Sequence, residues 1–223
     1  MMQTLTYERR RGEIETYFDR TAMAAWAALT STAPVGRIRA SVRAGRDEMR
    51  RTLLNWLPAD MTGMRVLDAG CGTGALALAV AERGAEVVAI DLSPQLVALA
   101  AQRAAVNPFA VRVEFRSGDM MDPALGEFDY IVCMDSVIHY APADAIAALS
   151  ALKTRARQAL LFTFAPRTKL LTVKLGLGKL FPRKDRSPMI EPQSEARLRA
   201  AMNVARTQKI ASGFYISQAV EVR

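Results

Sequence analysis

The stretch Val66-Leu67-Asp68-Ala69-Gly70-Cys71-Gly72-Thr73-Gly74 constrains the fold more than any other part of this 223-residue chain. An apolar strand, Met64 to Leu67, runs into an acidic residue, three alternate glycines and then an alanine-rich helix, Ala75 to Arg83. Gly70, Gly72 and Gly74 let the backbone turn sharply and let a ligand approach with no Cβ in the way. The helix behind them offers unpaired N–H groups at its N-terminus. A second strand, Glu86 to Ile90, ends at Asp91, whose carboxylate is placed to hold the two hydroxyls of a ribose. The pattern predicts a βαβ unit built to hold an adenosine.

The kind of adenosine follows from Asp68. Dinucleotide sites favour Gly-x-Gly-x-x-Gly with a pyrophosphate over the helix. Here the order is Asp-x-Gly-x-Gly-x-Gly, and a carboxylate in the turn repels phosphate but accepts a hydrogen bond from an ammonium. That favours S-adenosyl-L-methionine (SAM) over NAD. The stretch resembles motif I of the class I SAM-dependent methyltransferases. A third strand, Val111 to Arg116, followed by Gly118-Asp119, adds to the likeness, which implies that Asp119 faces the adenine amino group. The resemblance implies a cofactor site made of Asp68, Gly70, Gly72, Gly74, Asp91, Leu92, Asp119, Met120 and Met134. Methionines in such positions also serve simply to fill gaps in a core.

Apolar residues make up 51% of the chain, enough for the core of one α/β domain. No apolar run approaches the ~18 residues of a membrane span. The N-terminus turns polar at Glu8-Arg9-Arg10-Arg11, so no signal peptide is expected. Cys71 and Cys133 fit free thiols in a cytoplasmic protein, and one histidine with two separated cysteines is too poor a set for zinc. The net charge of +8 is uneven: +4 over residues 1–65, −7 over 66–150 and +11 over 151–223. An acidic middle suits a cationic sulfonium. Basic flanks suit an acidic substrate, a nucleic acid or an anionic membrane surface.

The periodicity places one helix over Glu13 to Leu29 and a second from Pro34 to about Leu57, its face carrying Arg37, Arg39, Arg43, Arg46, Arg50 and Arg51. Residues 1–60 then form a helical cap, and residues 61–223 a SAM-binding core. In that core, helices are expected at Ala75–Arg83, Ser93–Val106 and Asp144–Thr154, and further strands at Phe128–Met134 and Gln158–Phe164. Ser93-Pro94 is an N-cap followed by proline at the first helical position. A short helix, Ser194 to Met202, and strands Ala205–Ile210 and Tyr215–Val222 close the chain. The sum is an α/β fold: a seven-stranded, mostly parallel, doubly wound Rossmann-like sheet. Residues 165–192 form an insertion with four prolines and seven basic residues, which fits a lid, a membrane-surface element or a solvated loop.

The flanking segments narrow the resemblance to the magnesium-protoporphyrin IX O-methyltransferases of chlorophyll and bacteriochlorophyll synthesis. They are Tyr17-Phe18-Asp19-Arg20-Thr21-Ala22 with Trp26, Ala33-Pro34-Val35-Gly36-Arg37-Ile38-Arg39, Asp135-Ser136-Val137-Ile138-His139-Tyr140, Phe162-Thr163-Phe164-Ala165-Pro166-Arg167-Thr168 and Ser212-Gly213-Phe214-Tyr215-Ile216-Ser217-Gln218. The resemblance implies methyl transfer from SAM to one propionate of magnesium-protoporphyrin IX. It also implies contact with the porphyrin-binding subunit of magnesium chelatase and a cytoplasmic location, peripheral on the photosynthetic membrane. His139 and Tyr17 are the catalytic candidates, the structural alternatives being a packed histidine and a core tyrosine. Arg37, Arg43 and Arg46 are candidates for binding the second propionate.

Three other classes compete. A SAM methyltransferase for another carboxylate or a phenol, such as a quinone precursor, would share the cofactor site. A nucleic-acid methyltransferase fits the basic ends, but Cys133-Met134-Asp135-Ser136 is not the Asn/Asp-Pro-Pro-Tyr/Phe segment of base-amine methylators, so no nucleic-acid partner is expected. A SAM-binding assembly protein would show no turnover.

Overall fold

The computed structural model describes residues 4–167 and 189–223. Most of the 165–192 insertion therefore lies outside the described residues, and with it the lid or membrane-surface expectation.

The strands sort their side chains by simple alternation. In β1 (Arg65–Ala69), Val66 enters one buried cluster and Leu67 the other. Val87 and Val88 of β2 (Glu86–Asp91) divide in the same way, as do Leu160 and Leu161 of β5 (Ala156–Phe164). Each strand is thus apolar on both faces, and both faces need helices over them. With β3 (Val113–Ser117), β4 (Phe128–Cys133), β6 (Val204–Ser212) and β7 (Tyr215–Val222), the sheet runs β3-β2-β1-β4-β5-β7-β6. Strands β1 to β5 pair in parallel, and β7 lies antiparallel between β5 and β6. This is the expected seven-stranded, mostly parallel sheet.

Helices α1 (Leu5–Thr16), α6 (Pro142–Lys153) and α7 (Glu195–Ala201) contribute Tyr7, Leu149 and Leu198 to one face. On the other face, α3 (Arg37–Trp56) contributes Met49 and Leu53, and α4 (Ala75–Ala81) contributes Leu76 and Val80. Helix α3 has two roles: one face carries Met49 and Leu53 into the core, and another carries Arg39, Arg43, Arg46 and Arg50 to a cavity at the carboxyl ends of the strands. Helix α5 (Pro94–Ala104) starts as expected, with Ser93 Oγ accepting from Leu96 N at 3.2 Å.

The N-terminal helices differ from expectation. The first helix begins at Leu5, where Thr4 Oγ1 accepts from Tyr7 N at 3.1 Å. The charged stretch Glu8-Arg9-Arg10-Arg11 lies on this helix, where Arg9 and Arg10 both pair with Glu13. The helix then breaks. Tyr17–Thr21 is a π-helical turn, with Ala22 N donating to Tyr17 O at 2.8 Å, and α2 (Met23–Leu29) follows. The break lets Asp19 cap α5, accepting from Ser93 Oγ at 2.9 Å and Gln95 N at 3.0 Å. Helix α3 starts at Arg37 behind Gly36, not at Pro34. The preceding loop is held off the helix because Arg43 Nη2 donates to Ala33 O at 2.9 Å. Strand β3 starts two residues late, because Asn107 caps a 3₁₀ turn over Pro108–Arg112.

Candidate active site

In a sheet of this order the strand sequence reverses beside β1, and ligands bind outside the carboxyl ends there. The carboxyl ends of β1, β2, β3 and β4 meet around one cavity of about 940 Å³. Asp68, Asp91, Asp119, Met120, Met134 and Leu92 line it, together with Gly70 and Gly72. Sequence reasoning therefore brought together residues that lie far apart along the chain. Gly74 stands just behind as the left-handed N-cap of α4.

The glycine turn is locked from β2. Gly72 N donates to Asp91 Oδ2 at 2.8 Å, and Ser93 N donates to Asp91 Oδ1 at 3.0 Å. The carboxylate keeps acceptor capacity for a hydroxyl. All three glycines of the turn have positive φ: 83° at Gly70, 54° at Gly72 and 78° at Gly74. Of the three, Gly72 is the one that faces α2, since a Cβ there would lie 3.3 Å from Trp26 Nε1.

Asp68 is buried, and its Oδ2 has no hydrogen-bond partner. Burial, with Asp91 close by, pushes its carboxyl up to about 7. Asp91 is raised too, chiefly by burial. A buried acceptor with nothing to accept from is costly unless a donor arrives. An ammonium on the ligand would answer both the missing bond and the missing charge, and a ribose would use the remaining acceptor capacity of Asp91. The residues present therefore fit SAM.

Asp119 lies on the cavity wall, but α1 has claimed its carboxylate. Tyr7 Oη donates to Oδ1 at 3.0 Å and Arg11 Nη1 to Oδ2 at 2.9 Å, while Met121 N also donates to Oδ1 at 2.8 Å. Tyr7 stacks on Tyr140 with ring centres 4.7 Å apart. The sequence did not show this link, because Tyr7 and Arg11 precede the motif by more than 100 residues.

His139 is buried in the 3₁₀ turn after β4 and lines the cavity, as does Tyr17 from the π-helical turn. Phe18 stands between them: its ring centre is 5.1 Å from Tyr17 and 5.9 Å from His139. Trp26 lies 5.3 Å from Phe18, and the guanidinium of Arg46 sits 4.7 Å over its ring. The aromatic cluster of the cap thus roofs the cavity from the glycine turn to His139.

The three candidate arginines separate. Arg37 is exposed and is not among the cavity-lining residues. Arg43 lines the cavity but donates to the carbonyls of Ala28 at 2.7 Å, Leu29 at 2.9 Å and Ala33 at 2.9 Å. Arg46 lines it and pairs with Asp135 at 2.5 Å. Asp135 itself was overlooked. It is a non-glycine residue with a φ of 56°, and its carboxylate accepts from Tyr215 Oη and Thr163 Oγ1 as well as Arg46. An aspartate ending an apolar strand was the available signal. Arg39 and Arg50 also line the cavity.

Known proteins resemble this chain over its whole length. The family model for the C-terminus of magnesium-protoporphyrin IX methyltransferase matches residues 133–223, and a general methyltransferase-domain model matches residues 66–158. The magnesium-protoporphyrin O-methyltransferase of Rhodobacter capsulatus is 47% identical over 97% of this chain and 98% of its own. A crystal structure of magnesium protoporphyrin IX methyltransferase from Synechocystis PCC 6803 with bound S-adenosylhomocysteine superposes with a TM-score of 0.85. It is 30% identical, over 96% of this chain and 99% of that one. A ubiquinone biosynthesis O-methyltransferase of Xanthomonas oryzae pv. oryzae is 41% identical, but over only 36% of this chain. The full-length match and the shared fold place the chain in the magnesium-protoporphyrin O-methyltransferase family.

Proposed function

We propose that this enzyme, a SAM-dependent O-methyltransferase, esterifies one propionate of magnesium-protoporphyrin IX in (bacterio)chlorophyll synthesis. The products are the monomethyl ester and S-adenosylhomocysteine. The observation that carries the reading is the polarity of the cavity. Asp68 and Asp91 line it from the ends of β1 and β2, and α3 lines it with a row of arginines.

Bound over the glycine turn, SAM supplies an electrophilic sulfonium methyl group. Asp68 would hold the ammonium, Asp91 the ribose, and Met120, Met134 and Leu92 would form apolar walls. A propionate is already ionised at neutral pH, so the nucleophile needs no base. His139 and Tyr17 then orient the carboxylate and keep water away, with the Phe18 and Trp26 roof above them. We take residues 1–60 as the cap of this site, with α1, the π-helical turn and α2 as the part that covers it.

The basic charge of residues 151–223 supports docking on an acidic surface. We extend the proposal to two such contacts, the porphyrin-binding subunit of magnesium chelatase and the cytoplasmic face of the photosynthetic membrane. No helix among the described residues is long and apolar enough to cross a membrane.

Methylation of a quinone-precursor phenol is the competing reaction, and the match to the ubiquinone enzyme supports it over only 36% of this chain. Parallel turnover assays with magnesium-protoporphyrin IX and with a catechol decide between them. Turnover of the porphyrin alone is the expected result, and turnover of the catechol alone would reverse the proposal.

A further inference from the structure

Four arginines of α3 line the cavity: Arg39, Arg43, Arg46 and Arg50. Their spacing of four, three and four residues puts them on one helix face. Three are already occupied. Arg43 is bound to three carbonyls, Arg46 to Asp135, and Arg50 to Asp47 at 2.7 Å. Among the described residues, Arg39 makes no hydrogen bond or ion pair. It is exposed as well as cavity-lining, so it stands where the cavity opens to solvent. Phe214, at the tip of the β6–β7 hairpin, is 56% exposed and lines the same cavity. Its backbone N donates to Ser41 Oγ at 3.4 Å, which ties the hairpin tip to the same stretch of α3.

We propose that Arg39 is the anchor for the non-reacting carboxylate of the substrate, with the ring of Phe214 set against the flat apolar face of the macrocycle. The proposal rests on the assignment of a dicarboxylic porphyrin as substrate. A guanidinium offers two parallel N–H donors to a carboxylate, and among the described residues Arg39 is the member of the row without a partner. Pairing at the mouth fixes one end of a rigid ring. The two propionates sit on adjacent pyrroles along one edge of the ring, so pairing one with Arg39 fixes where its neighbour can lie for transfer. The specificity this predicts is for a diacid over a monoacid.

The test is a cycle of two substrates and two proteins. The substrates are magnesium-protoporphyrin IX and a magnesium porphyrin carrying a single propionate. The wild-type enzyme should show a KM roughly tenfold higher for the monoacid, of the order expected for losing one charge-assisted pair. Arg39→Ala should show the same raised KM for both substrates. Arg39→Lys should recover part of the preference. SAM affinity, measured by calorimetry, should match wild type in both variants and reports that the fold is intact. If Arg39→Ala keeps the wild-type preference for the diacid, or if Arg50→Ala abolishes it instead, the assignment is overturned. Failure of the wild-type enzyme to methylate either porphyrin would be a different result, and would overturn the substrate reading itself.

Discussion

At the residue scale, Asp68 carries the most distinctive electrostatics. Its carboxyl is raised to about 7 by burial and by Asp91, against an ordinary value of 3.8. Folding therefore opposes its ionisation. The stability it allows is full below about pH 4 and is lost as pH rises through about 7. Compared with Asp68→Asn, the ligand-free wild-type protein should lose thermal stability between those limits, as a series of melts would show. Bound SAM reverses the balance, because its ammonium favours the ionised carboxylate. Calorimetric affinity for SAM should fall about tenfold for each pH unit below 7 in the wild type, and Asp68→Asn should flatten that slope. Equal slopes in the two proteins would remove Asp68 from the ammonium site.

His139 and Tyr17 belong to the same scale. Under the proposed mechanism the nucleophile is already ionised, and both residues act by positioning. His139→Ala should cut turnover by about 10²-fold, the low end for a positioned acid–base or orienting group, and Tyr17→Phe by less. SAM binding should persist in both. Steady-state kinetics alongside SAM titration checks this, and loss of SAM binding in His139→Ala would reassign that residue to the cofactor pocket. That Asp68, Asp91 and the glycines would meet at one cavity was legible because one local motif brings them together. Which arginines line it was not. Arg37, Arg39, Arg43 and Arg46 look alike in sequence, and only their tertiary partners separate them. Arg43 closes the C-terminal carbonyls of α2, and Arg46 answers the carboxylate after β4.

At the scale of elements, α3 packs on β7, and Gly45 is where it comes closest to Tyr215. A methyl group at Gly45 would lie 2.8 Å from both Cβ and Cγ of Tyr215. Tyr215 Oη in turn donates to Asp135, the partner of Arg46. Gly45→Ala gains helix propensity but overpacks this contact, so it should destabilise by about 1–3 kcal/mol in urea unfolding. An unchanged or raised unfolding midpoint would show that α3 can shift freely on β7. The strands and α5 were legible because alternation and the Ser93-Pro94 cap are local signals. The break in the first helix was not, since Asp19 leaves the helical path for a partner more than 70 residues away. Likewise, Arg103 of α5 reaches Ala27 O at 2.9 Å and Thr30 Oγ1 at 3.0 Å, closing the end of α2 by a contact that no periodicity encodes.

At the scale of the molecule, the charge division along the chain meets at one cavity. The acidic middle third lines it from the ends of β1, β2 and β3, and α3 from the first third lines it with arginines. A cationic methyl donor and an anionic acceptor are drawn into one cleft, where in-line transfer needs the oxygen within about 3–3.5 Å of the methyl. The most direct measurement of this account is product identity. The purified protein is incubated with magnesium-protoporphyrin IX and SAM labelled with ¹³C in its methyl group, and the porphyrin is recovered for mass and NMR analysis. The account predicts one labelled methyl per porphyrin, present as a carboxylate ester, with S-adenosylhomocysteine formed in equal amount. A labelled methyl on carbon or nitrogen of the macrocycle, or S-adenosylhomocysteine formed with no porphyrin ester, would contradict it.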